Sequence, residues 1–159
     1  MRLGNLAGKD GIENEQALFA NALTCFLQGR FAEAFSALSK WPPGQHPAVE
    51  FNLGLCHLKT ADFQSAIRHF ETALRQARPG VAPENNPAYK TLRAAEIRNQ
   101  RYLEPMSFDH LLTFANEAKE DIIMALAFAH DGCGLKDKAR VLTASLVGDQ
   151  FSEFKAKFQ

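Results

Sequence analysis

The amino-acid sequence predicts an all-α fold: antiparallel helix pairs stacked as a right-handed α-solenoid and closed by a C-terminal capping helix. Three features of the chain point that way. Pro47 to Pro79 reads PAVEFNLGLCHLKTADFQSAIRHFETALRQARP, two runs with apolar residues at helical spacing and a polar turn between them. Residues 15–41 repeat that stretch at an offset of 32: Phe19 matches Phe51, Ala22 matches Gly54, Leu23 matches Leu55, Phe31 matches Phe63, Ala34 matches Ala66 and Leu38 matches Phe70. Alternating β-branched segments, the mark of strands, are almost absent.

Residues 1–14 contain Gly and charges without a clear period and are expected to form a loose lead-in, with Asp10 or Asn14 available to cap the first helix. The repeat domain is expected over 15–148. Its first unit, 15–46, places helices near 15–28 and 31–40, with Gly29 in the turn. The second of these stops before Trp41-Pro42-Pro43-Gly44, a run that cannot continue a helix. The next unit, 47–80, places helices near 47–59 and 63–77. Gly54 and Ala66 stand where these two helices are expected to cross. A mid-helix Gly costs about 1 kcal/mol against Ala, so close approach of two backbones is the reason for it. Phe63, Ile67, Phe70 and Leu74 form the facing apolar stripe.

Arg78 to Asn86 is a loop rich in Pro, Gly and Asn. Asn86 then caps and Pro87 opens a helix expected to reach about Tyr102. With Ala94 at the small-residue position, residues 87–119 read as a third unit, its second helix starting from Ser107 after the Glu104-Pro105 break. Residues 120–147 read as a fourth, with Ala127 at the small position, Gly134 in the turn and Ala139 at the helix contact. Gly148 ends it. Residues 149–159 are expected as a capping helix, because Phe151, Phe154 and Phe158 lie on one stripe and a repeat array needs its last face covered.

The chain has 159 residues, 46% hydrophobic and 23% charged, which suits one globular domain. Lys plus Arg and Asp plus Glu are both 18, so no net field draws nucleic acid or an anionic membrane. Three cysteines, Cys25, Cys56 and Cys133, form no C-x-x-C pair, which argues against a disulfide framework or a zinc site and for a reducing, cytoplasmic setting. The start lacks the apolar region of a secretory signal, and no apolar run approaches the roughly 20 residues of a membrane span. Phosphate-binding Gly motifs and H-E-x-x-H are absent. His110 and His130 sit beside Asp109 and Asp131, but adjacent helical positions point apart and form no dyad. The expectation is a protein without catalytic function, metal or other cofactor.

Leu53-Gly54, the Ala66-x3-Phe70 step, Ala73 and the closing Pro79 resemble the tetratricopeptide repeat (TPR), a 34-residue helix–turn–helix unit. Glu50 and His57 depart from it, standing where that family prefers Trp and Tyr. The resemblance covers about residues 15–147. It implies a scaffold for a protein or peptide, whose stacked first helices line a concave groove. Carried over residue by residue, the groove takes Phe19, Leu23 and Phe26 from the first unit, and Phe51, Leu55, Leu58 and Lys59 from the second. Arg98 comes from the third, and Met124 and Phe128 from the fourth. Family members that grip a C-terminal carboxylate need polar residues where Phe19, Leu23, Phe51 and Leu55 stand. The expected ligand is therefore a partner's apolar or amphipathic segment. Two alternatives stay open. Length and repeat count are similar to those of bacterial type III secretion chaperones, which hold apolar translocator segments in a similar groove. A self-associating module is the other, its groove closed by its own tail or by a second copy in a homodimer.

Overall fold

Residues 9–81 and 86–159 are described by a computed structural model. Among the described residues every regular element is helical: α1 (Lys9–Leu27), α2 (Phe31–Leu38), α3 (Pro47–Lys59), α4 (Phe63–Gln76), α5 (Pro87–Arg98), α6 (Phe108–Thr113), α7 (Ala115–Gly132), α8 (Lys136–Thr143) and α9 (Ser152–Ala156). Short 3-10 turns lie at Arg101–Leu103 and Asp149–Phe151. The all-α class is thus as expected. α1 starts earlier than expected, at Lys9, so Asp10 and Asn14 both fall within its range. The rest of the expected lead-in, residues 1–8, lies outside the described residues.

Local chemistry sets the helix starts. His46 Nδ1 accepts a hydrogen bond from the Ala48 amide at 3.2 Å, and Pro47 opens α3. Asp62 accepts from the Ser65 amide at 3.1 Å, Asn86 from Ala88 at 2.9 Å and Ser107 from His110 at 3.0 Å. The turn between α1 and α2 holds Gly29 at φ 76°, and the equivalent turn between α3 and α4 holds Ala61 at φ 57°.

Each helix packs on its predecessor as far as α4: α1 on α2, α2 on α3, α3 on α4. The order then changes. α4 packs on α7, and α7 on α8, while α5 packs on the two 3-10 turns and on α9. Residues 87–119 therefore do not form a third pair inserted between the second and the fourth, as the sequence suggests. α6 has six residues, too few to give α5 a partner of its own length, and the chain between them is extended at Glu104 and Ser107. α7 runs antiparallel along α4. At one end a Cβ on Gly132 would lie 2.4 Å from the Phe63 ring, and beyond the other end a Cβ on Gly80 would lie 2.2 Å from the Asn116 backbone.

Two apolar clusters result. The first joins α1 to α4 with Met106, Leu111 and one face of α7, including Ile122, Ala125 and Leu126. The second joins Ile97, Tyr102, Ala139 and Leu146 with the opposite face of α7, through Ile123, Met124 and Ala127. Phe151, Phe154 and Phe158 complete it and are buried. α7 thus belongs to both clusters, because its middle turns, Ile122 to Ala127, are apolar all round.

Candidate functional site

The residues expected to line an open groove are mostly covered. Phe19, Phe26, Phe51, Leu55 and Met124 are buried, with Phe51 and Met124 at 0% exposure. Leu23, Leu58 and Phe128 are half-buried. Lys59 is exposed, its Nζ over the Phe26 ring at 5.6 Å and the Phe31 ring at 5.5 Å. Arg98 is exposed and pairs with Glu153 at 3.3 Å. The ten do not share one surface either. Those on α1 and α3 belong to or border the first cluster, whereas Met124 and Phe128 belong to or border the second. α7 explains the split, since it presents different residues to each cluster.

What covers the α1–α3 groove is the chain's own segment Glu104–Phe108. Pro105 keeps the segment from continuing as a helix, and Glu104 and Ser107, at ψ 153° and 162°, are extended. Asn52, on α3 and 1% exposed, clasps the backbone of Met106 from both sides. Its Nδ2 donates to the Met106 carbonyl at 2.8 Å, and its Oδ1 accepts from the Met106 amide at 2.8 Å. Both lone groups of a buried backbone residue are satisfied by one side chain. Two residues on, the Phe108 ring stacks on Phe19 with centroids 3.8 Å apart and planes at 12°. His46 lies 4.1 Å from the Phe108 ring, and Trp41 meets the Phe19 ring edge-on at 5.9 Å.

Glu50, where the repeat pattern prefers Trp, is 4% exposed and fixes the rim of this groove. Its Oε1 accepts from the Gly44 amide at 2.6 Å and its Oε2 contacts His69 Nδ1 at 2.7 Å. Gln76 donates to the Gly44 carbonyl, so the Pro42-Pro43-Gly44 loop is tied to both α3 and α4. A buried carboxylate is tolerable when its oxygens are bonded in this way.

Beside the segment lies a polar hollow of about 140 Å³, lined by residues that include Arg93, Glu104, Met106, His110 and Asp121. Arg93, 5% exposed, pairs with Asp121 at 2.7 Å, Glu96 at 3.3 Å and Glu120 at 3.4 Å, which neutralises it. Burial holds the Glu120 and Asp121 carboxyls above the ordinary carboxylate range, with Arg93 opposing. A larger apolar hollow of about 630 Å³ opens between α4, α7 and α8, over Leu74, Leu126, Val141 and Leu142.

Burial pushes the Cys56 thiol up to about 12, the opposite of a reactive thiolate. Among the described residues no three His, Cys, Asp or Glu side chains are grouped to hold a metal ion, and no helix is long and apolar enough to cross a membrane. Asn52, Met106, Phe108 and Glu50 escape a repeat-based reading of the sequence. Two signals do mark them: polar Glu50 and Asn52 inside the apolar run Val49–Leu55, and the Met-x-Phe that follows the Pro105 break. No protein-family model, no curated protein and no solved structure matches this chain.

Proposed function

We propose that the chain is a non-enzymatic, cytoplasmic scaffold that binds an extended apolar segment of a protein or peptide. Its helix pairs α1–α2, α3–α4 and α7–α8 would form a right-handed array resembling tetratricopeptide repeats. One observation carries this reading: the face made by α1 and α3 already grips an extended stretch of polypeptide, through the paired Asn52 bonds to Met106 and the Phe19–Phe108 stack. Main-chain hydrogen bonds give such a contact affinity, and side chains at alternate positions give it selectivity. The test is selection of peptides from a random display library on the immobilised protein, with Asn52→Ala in parallel. Enrichment of peptides carrying apolar and aromatic residues two positions apart, lost on Asn52→Ala, is expected. A library that yields no sequence preference sinks the scaffold.

A further inference from the structure

Resting on that reading, we infer that the Asn52 groove is a site for a partner's extended segment of the form apolar-x-aromatic, and that Glu104–Phe108 is a built-in competitor that holds it shut. The occupant's chemistry is legible from what sits there now. A residue whose amide and carbonyl both face Asn52 must be in extended conformation, and its side chain must be apolar, since Met106 is 3% exposed. The residue two positions on must be a flat ring able to lie on Phe19, as Phe108 does. Residues two apart in an extended chain point to the same face, which fits this pair of contacts.

The segment is also placed to leave without dismantling the helices that form the groove. It lies between two breaks in the helical path. On one side Gln100 is at φ 59°, a left-handed conformation costly for a side chain of its size. On the other, α6 ends at Thr113 and Phe114 separates it from α7. α6 is only six residues long, and Leu112 on it and Phe114 just after it are exposed at 74% and 51%. Asn52 itself stays fixed whether or not the segment is there, because it stands mid-helix on α3, which α2 and α4 flank. Displacement exchanges one set of contacts for an equivalent set, so a partner succeeds when its own segment fits better or is held close by other contacts.

The probe is a fluorescein-labelled peptide, Leu103–Leu112 of this chain, titrated against the wild-type protein and against Met106→Gly/Phe108→Ser, which keeps the chain but removes both anchoring side chains. Binding to the double variant at least tenfold tighter than to wild type is expected, and adding Asn52→Ala should abolish it. Equal affinity for wild type and double variant overturns the competitor while leaving the scaffold standing. Failure of both folded proteins to bind overturns the site itself. Hydrogen exchange of the wild type decides the matter if the double variant does not fold. The Met106 amide should then exchange at least tenfold faster than the Leu126 amide in α7, and equal protection overturns the inference.

Discussion

Gly54 shows how little room the pairing of α3 with α4 leaves. A Cβ there would stand 2.5 Å from Phe70 Cε1, and Phe70 is fully buried, so its ring has nowhere to swing. Gly54→Ala is expected to cost about 1–3 kcal/mol through overpacking, read as a lowered urea midpoint. The opposite sign is expected at Ala61, which occupies at φ 57° the turn position that Gly29 fills in the preceding pair. Ala61→Gly relieves a left-handed strain of about 1–2 kcal/mol and gives part of that back to unfolded-chain entropy, so the midpoint should rise by the equivalent of about 0.5–1 kcal/mol. Protonation is a third effect at this scale. Burial holds His46, His57 and His130 below the histidine value of 6.5, helped at His57 by His69 and at His130 by Lys138. Below that pH the unfolded chain takes up protons that the folded chain refuses, so stability is present above 6.5 and is lost as pH falls toward the lowered folded values. Glu120 and Asp121, raised by burial with Arg93 opposing, act in the opposite sense. Urea midpoints should therefore fall between about pH 7.5 and about pH 5.5, and His130→Leu should shrink the difference. Midpoints that stay level would show that these rings are free to charge in the folded state.

Helices were far more legible than their partners. Asn86-Pro87 and Gly29 mark boundaries by local chemistry alone, and the sequence places α2, α3 and α4 within two residues of where they lie. The path of the chain after Pro105 is not local. Pro105 announces that a helix cannot continue there, yet nothing near it says that Met106 will travel back to Asn52, a residue 54 positions away. The burial of the expected groove residues is non-local for the same reason: Phe19 and Phe51 stand at the positions the repeat pattern exposes, yet Phe108 and Trp41 cover Phe19 and Phe70 packs against Phe51. The tail was easier, because Phe151, Phe154 and Phe158 share one stripe whatever they meet. Each buried Phe is worth about 1.5–3 kcal/mol, so three together rival the roughly 5–15 kcal/mol of a whole domain. Truncation after Gly148 uncovers Ile97, Tyr102 and Leu146 and is expected to yield an aggregating or unfolded protein. A truncated chain that melts like the full one would show the tail to be ornamental.

At the scale of the whole molecule, α7 decides how the parts stand or fall. A row of stacked helix pairs that touch only their neighbours can fray from an end. Here one helix is shared by both clusters, so loosening either exposes α7 to water. Trp41, packed on Phe19, reports on the first cluster, while far-ultraviolet circular dichroism reports on all the helices. The two signals should give one coincident denaturation midpoint. Separate midpoints would mean that the clusters unfold independently. The long reach from Asn52 to Met106 also bears on how the protein is born. Neighbouring helices α1 to α4 can assemble as soon as they leave the ribosome, because each touches the one before it. Phe108 and Met106 are still inside the ribosome at that moment. At about 5–20 residues per second, the nascent chain spends seconds with Phe19 bare and Asn52 unsatisfied before its own covering segment emerges. During that interval the half-made protein presents an open, adhesive groove, and the speed of translation sets how long it does so.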